Sequence, residues 1–321
     1  MQDNSFILNF NIIKKLVLNI LLVFIVVGIF DFFIGNTLRF FYFKESSGLH
    51  YRTTYAIDST QADVLIFGAS TANHHYVPKV FENSLNMTYY NTGRDGQGIL
   101  YQLAVLKSIL KRYNPSVIIL DHTGRFNNSE KDFERLSALL PYYKDHQEIR
   151  AIIEKKSSFE QIKLLSNIYP YNSNFLTIAV GNLEFNKKRK SDIKGYVELN
   201  GIWEGALDSI NNNGAINNDL IKIRALEEFI ELSKNAGANL FIIKSPVFKI
   251  SPNNIDSLLA TISLKHKIPF YNFRQDSIFL NNPFLFKDLV HLNKEGATVI
   301  SNIICDSIKQ HLETMNINNN K

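Results

Sequence analysis

Two short segments, more than two hundred residues apart, carry the residue types of acyl transfer. The first is Phe67-Gly68-Ala69-Ser70-Thr71-Ala72-Asn73. Glycine permits a tight exit from a strand, and a serine placed there presents its hydroxyl beside the free N–H groups of the following helix. Gly-x-Ser is also ordinary N-cap composition, so Ser70 needs a partner before it means chemistry. The second segment, Lys287-Asp288-Leu289-Val290-His291-Leu292-Asn293, supplies one. Asp288 and His291 are three apart, a spacing that lets a turn bring the carboxylate onto the imidazole. Such a contact fixes the tautomer and supports the imidazolium formed when histidine takes a proton. A helix-entry loop capped by Asn293 would show the same residues without the chemistry.

A third segment, Asn91-Thr92-Gly93-Arg94-Asp95-Gly96-Gln97-Gly98, is glycine-rich but has neither the Gly-x-Gly-x-x-Gly spacing nor a Walker Lys-Ser, so it does not read as a nucleotide loop. In an acyl-transfer site, the N–H of Gly93 could join that of Ser70 in holding a developing oxyanion. His74 and His75 lack acidic or histidine partners at ligand spacing and read as solvent-facing or supporting residues. The chemistry so far requires neither a cofactor nor a metal.

The elements that must position these groups follow from apolar patterning. Asp63–Phe67, Met87–Asn91, Val117–Leu120, Asn239–Ile243 and Ile268–Asn272 read as short buried strands. Helical patterns fall between them at Val77–Leu85 and Ile99–Lys111, with a last helix at Lys294–His311. Alternation of this kind predicts an α/β fold with a doubly wound parallel sheet and ligands at the carboxyl ends of the strands. That is the edge where Ser70 follows the first strand and the Asp288/His291 pair follows the last. Residues 127–218 interrupt the rhythm with helix-like stretches at Glu148–Lys156 and Phe159–Ile168, a basic run at 187–190, Trp203 and a turn at 211–214. They read as a largely helical insertion, a cap or substrate-facing subdomain.

Composition narrows the class. The 321 residues are 45% hydrophobic and 20% charged, with a net charge of +5 and one cysteine. The charge excess is too small to argue for nucleic acid. Cys305 can form no internal bridge and sits on the apolar face of the last helix, where it reads as packing. Residues 16–34 have only Asn19 and Asp31 as strongly polar members and are apolar on every face, so a span over 16–36 is long enough to cross a bilayer, with no small-residue cleavage site after the apolar run. Lys14 and Lys15 precede the span, while Arg39 and Lys44 lie farther away on the other side. The expectation is a single-pass helix with residues 1–15 in the cytoplasm and the bulk outside the cell membrane. Asp31 is expected to reach interfacial water. A juxtamembrane connector at 37–61, a domain at 62–315 and a frayed tail at 316–321 complete the plan.

The ordered set Gly68-Ala69-Ser70, Asn91-Thr92-Gly93 and Asp288-Leu289-Val290-His291-Leu292-Asn293 resembles the SGNH (GDSL-type) hydrolase superfamily. More narrowly, it is similar to membrane-anchored members such as the D-alanyl lipoteichoic acid transfer and alginate O-acetylation proteins. The resemblance covers roughly residues 63–121 and 239–311. It implies a flavodoxin-like three-layer fold, Ser70 as nucleophile, His291 as general base, Asp288 as its orienting carboxylate and Gly93 as an oxyanion donor. The family's aspartate before the serine is Ala69 here. Its Gly-x-Asn-Asp block reads Asp121-His122-Thr123-Gly124-Arg125-Phe126-Asn127, which leaves Asn127 in the oxyanion position, Asp121 or Arg125 as alternatives, or a loop role for all three. What the resemblance implies is O-acyl, most simply acetyl, transfer or removal on a surface polysaccharide, with a glycan or acyl-ester substrate and a membrane partner that carries acyl groups. A plain esterase or lipase shares every one of these residues, and a non-catalytic scaffold of polysaccharide assembly would keep the same fold.

Overall fold

The computed structural model describes residues 10–122, 126–127, 129–183, 192–205, 218–248 and 257–319. The basic run at 187–190, the turn at 211–214 and Arg125 lie outside them. Helix α1 (Phe10–Lys44) carries the apolar run, and α2 (Gly48–Asp58) follows. Strand β1 (Val64–Gly68), helices α3 (Ser70–His75) and α4 (Pro78–Leu85), strand β2 (Tyr89–Asn91), helix α5 (Ile99–Leu110) and strand β3 (Val117–Asp121) form the first half of the domain. Among its described residues the insertion holds four short helices with intervening 3₁₀ turns: α6 (Glu130–Glu134), α7 (Arg150–Ile153), α8 (Glu160–Lys163) and α9 (Phe175–Asn182). Helix α10 (Leu220–Asn235), strand β4 (Asn239–Lys244), helix α11 (Ser257–Lys265), strand β5 (Phe270–Asn272) and helix α12 (Lys294–Asn319) complete the chain.

The five strands form one parallel sheet in the order β2-β1-β3-β4-β5. Strand alternation divides the core into two layers. Leu65, Phe67, Ile118, Leu120, Leu240 and Ile242 face α2, α5 and α10. Val64, Ile66, Val117, Ile119, Phe241 and Ile243 face α3, α4 and α12. Both faces of the sheet are thus covered, which is why the strands are apolar throughout rather than alternating with polar residues. The order reverses at β1, and the crevice beyond its carboxyl end is where such sheets place their ligands.

Four sequence expectations are corrected here. Residues 37–61 are not a free connector. α1 runs unbroken to Lys44 and buries Leu38 and Tyr42, while α2 buries His50, Thr53, Ala56 and Ile57 in the core. The stretches expected as helices at 148–156 and 159–168 break into single turns, and α12 passes the expected His311 to end at Asn319. The insertion is not one cap: residues 135–182 pack against α1 and α5, whereas residues 192–205 hydrogen-bond to β2, α3 and the loop before α12. Cys305 is fully buried, and burial pushes its thiol up to about 12.

β1 ends in a crowded turn. Gly68 has φ +148°, and a Cβ there would stand 2.5 Å from the Asp121 carbonyl oxygen and 2.7 Å from the Ala72 Cβ. Gly68→Ala is therefore expected to cost about 2–3 kcal/mol. For a domain of this size that lowers the thermal midpoint by about 4–12 °C, measurable by melting the detergent-solubilised protein. An unchanged midpoint would show that the turn can relax around a methyl group.

Candidate active site

The strand-to-helix turn after Gly68 makes Ser70 the first residue of α3. The His291 Nε2 lies 2.7 Å from Ser70 Oγ. The Nδ1 of the same ring lies 2.8 Å from Asp288 Oδ2 and 3.0 Å from Oδ1. An ionised carboxylate only accepts, so the proton sits on Nδ1, and Nε2 is left as the acceptor for the serine hydroxyl. Asp288 Oδ1 also accepts the N–H groups of Val290 and His291, each at 2.9 Å. Partial burial opposes ionisation of Asp288, but the His291 contact and these two N–H donors outweigh it and hold the carboxylate well below its usual range. The structure thus brings together the three residues that the sequence placed at opposite ends of the domain.

The histidine loop is fastened from several sides. Lys287 N–H donates to the His291 carbonyl at 2.8 Å, and Asn293 Oδ1 accepts from Gly296 N–H at 3.0 Å, capping α12. Trp203 N–H donates to the Phe286 carbonyl, Phe248 N–H to that of Leu289, and Lys294 N–H to that of Leu199. The Trp203 ring meets Phe248 edge-on at 4.4 Å. Residues 199–203 of the insertion therefore brace the loop that carries His291.

His74 and His75 are buried, not solvent-facing. His75 Nε2 accepts the N–H of Leu292 at 3.0 Å, tying α3 directly to the residue after His291. Burial, followed by the neighbouring His291 and His74, holds His75 well below the ordinary histidine range, so it is a neutral strut. The His74 ring stands edge-on to His291 at 5.5 Å; its Nδ1 faces the Val197 carbonyl at 2.7 Å and its Nε2 faces Asp95 at 3.3 Å. Asp95 also accepts from Asn73 Nδ2, and Asn73 Oδ1 in turn accepts from Arg52 on α2. Burial would raise Asp95, but the His74 and Asn73 contacts prevail and lower it to about 2. None of these four partners was assigned a role from sequence. Only the proximity of His74 and His75 to Ser70 hinted at them, because Arg52 and Asp95 reach the site through tertiary packing.

The oxyanion donors differ from expectation. Gly93 packs against α3, where a Cβ would stand 2.8 Å from both the Ala72 Cβ and the Asn73 nitrogen. Its N–H, however, donates to Asn91 Oδ1 at 2.8 Å, while the Thr92 and Arg94 N–H groups donate to the Ile66 and Gly68 carbonyls. The donor expected at Gly93 is thus already engaged within its own loop. Asn127 is exposed, bridges Asn218 and accepts from Lys222 Nζ through its carbonyl; none of these contacts leads to Ser70. Asp121 is buried and accepts from Ser245 Oγ at 2.5 Å, with burial raising its pKa. The backbone N–H of Ser70, at the start of α3 with no carbonyl one turn before it, is the donor the geometry offers.

No family model and no curated protein matches the sequence. Among solved structures, the chain is similar to the crystal structure of the psychrotrophic esterase EstA from Pseudoalteromonas sp. inhibited by monoethylphosphonate. The identity is 14% and the TM-score 0.41, covering 78% of this chain and 98% of that one. A likeness at that level says nothing about chemistry, and the geometry above stands by itself.

His75 and His122 are both buried as neutral rings, His122 held down to about 4 by burial and then by the charges of Lys244 and Lys222. In the unfolded chain both would bind protons below about pH 6.5. Unfolding then takes up protons, so stability is full above that pH and falls as pH drops toward the folded values. The thermal midpoint is expected to decline between about pH 7 and pH 5. His75→Gln, which keeps an acceptor for Leu292 N–H, should flatten part of that decline; an identical pH slope in the variant would disprove the buried-neutral assignment.

Proposed function

We propose that this protein is a membrane-anchored serine acyl-transfer enzyme of the SGNH type, moving an ester-linked acyl group, most simply acetyl, on a surface polysaccharide. The observation that carries the reading is the continuous line Ser70 Oγ, His291 Nε2, His291 Nδ1, Asp288, with contacts of 2.7 and 2.8 Å. Ser70 Oγ attacks the acyl carbonyl carbon while its proton passes to His291 Nε2, and the new oxyanion rests on the Ser70 N–H. Collapse expels the alcohol, which takes the proton back from His291, leaving acyl-Ser70. A glycan hydroxyl or water then attacks the acyl carbonyl carbon as His291 takes its proton, and collapse breaks the bond to Ser70 Oγ, which recovers that proton from His291. The resemblance in the three motifs and the apolar length of α1 support the anchored form, and Lys14 and Lys15 favour a cytoplasmic N-terminus.

The second reading is a plain esterase, favoured by the partial exposure of His291 and Asp288, which leaves the acyl-enzyme open to water. The third is a non-catalytic scaffold, favoured by the occupied Gly93 N–H.

A fluorophosphonate probe should label the full-length protein at Ser70, and Ser70→Ala should abolish labelling. His291→Ala should slow labelling and ester turnover by about 10³-fold or more. Absence of labelling in folded protein would establish the scaffold reading. With turnover present, release of acyl groups to water alone, in the presence of carbohydrate acceptors, would establish the esterase.

A further inference from the structure

Helix α1 carries Asp31 inside its apolar run, and the insertion supplies that carboxylate with donors. Oδ1 accepts from Ser166 Oγ and from Ile168 N–H at 3.2 Å; Oδ2 accepts Asn167 N–H at 2.7 Å and Asn167 Nδ2 at 2.9 Å. One turn later, Gly35 permits a close approach, since a Cβ there would stand 2.3 Å from the Asn167 Cβ. Farther along, Arg39 Nη2 reaches Asp145 at 2.6 Å, and Asn182 Nδ2 reaches the Phe41 carbonyl at 3.0 Å. The insertion therefore grips α1 over several turns, starting at Asp31.

The height of that grip follows from helix geometry. If Lys14 and Lys15 mark one boundary of the hydrocarbon layer, Asp31 stands about 22 Å above Leu16 at 1.5 Å per residue. The hydrocarbon is roughly 30 Å thick, so Asp31 lies about 8 Å below the far boundary, and deeper if the helix tilts. A bare carboxylate is disfavoured at that depth, and the donors at 166–168 must descend with it. The side chains around those donors suit the same medium. Leu165 is 80% exposed, Leu176 74%, Ile162 65%, Phe159 64% and Phe175 55%. Such a cluster is unusual on a surface facing water. It adjoins the apolar surface of α1, where Phe30 and Phe33 are likewise exposed.

We infer that residues 159–176 form an apolar collar seated in the membrane leaflet on the catalytic side, where the acyl chains of lipid cover Phe159, Ile162, Leu165, Phe175 and Leu176. The inference rests on reading α1 as a span. Lipid is the occupant because the patch continues a lipid-length helix at a depth set by Asp31. The collar, with the single helix, fixes how the catalytic domain sits on the bilayer.

The test uses the full-length protein in nanodiscs of phosphatidylcholine and phosphatidylglycerol. Single spin labels are placed through Val23→Cys, Leu165→Cys, Leu176→Cys and Asn235→Cys, while the buried native Cys305 stays unlabelled. Accessibility to oxygen and to a nickel chelate is compared by power saturation. Labels at 165 and 176 should favour oxygen severalfold, as the label at 23 does, while the label at 235 favours nickel. Asp31→Ala should shift the 165 label toward nickel and leave the 23 label unchanged. A nickel preference at 165 and 176 with oxygen preference at 23 would overturn the collar alone; a nickel preference at 23 would overturn the span on which it rests. Labels at 165 and 176 shielded from both reagents would place a protein partner there and overturn lipid as the occupant.

Discussion

The hydrogen bond between Ser70 and His291 joins residues separated by 221 positions in sequence, and the rest of the domain is arranged so that the two can meet. Neither residue is held by its own element alone. Ser70 is aimed by the Gly68 turn, whose backbone passes so close to β3 that only glycine fits. His291 is aimed by a loop braced from α3 through His75, from the insertion through Leu199 and Trp203, and from Phe248 after β4. The parallel sheet brings both segments to one edge, and these braces convert a shared edge into a 2.7 Å contact. A triad built this way is sensitive to packing far from the reacting atoms, because effective catalysis needs alignment within fractions of an ångström.

The core strands were legible because buried parallel strands are short apolar runs, and the candidate site because Ser70 directly follows the first strand while Asp288 and His291 fall between the last strand and the last helix. Boundaries moved by only a residue or two at Val64–Gly68 and Val117–Asp121. What the sequence hid is equally specific. α2 is polar in composition, so Arg52 and Thr53 gave no sign that they would be enclosed. The buried rings of His74 and His75 depend on carbonyl and amide partners at Val197 and Leu292, which no local pattern encodes. The insertion differs from a cap or substrate-facing subdomain for a related reason: one part packs on α1 and another on the His291 loop, and no local pattern separates the two.

Backbone hydrogen bonding explains why the Gly93 N–H is already engaged. Thr92, Gly93 and Arg94 all place their N–H groups on acceptors within the β1 and β2 turns, and Asn91 closes the set by donating to the Ala72 carbonyl at 2.7 Å. Buried N–H groups must be satisfied, and here the satisfaction is local. The same bonds keep Gly93 tight against α3, which holds Ser70 in register. Rigidity of the Ser70 turn and availability of the Gly93 donor are thus in competition. A tetrahedral oxyanion is a stronger acceptor than an amide oxygen, and the two could exchange at Gly93 only if Asn91 turned away from it.

Helix α1 belongs to the same mechanical unit as the candidate site. α1 does not end where its apolar run ends: Leu38 and Tyr42 enter the core, Tyr42 stacks on His50 of α2 at 4.6 Å, and α2 reaches α3 through the Arg52 to Asn73 contact. Two side-chain contacts, with α2 between them, therefore link the end of α1 to the helix that carries Ser70. A flexible tether would let the domain sample many heights above a bilayer. A continuous helix docked into the core permits few, so on the proposed reading the ester must arrive at a set distance from the membrane. Selection by position in this way agrees with the partial exposure of the His291 and Asp288 side chains, 24% and 49%.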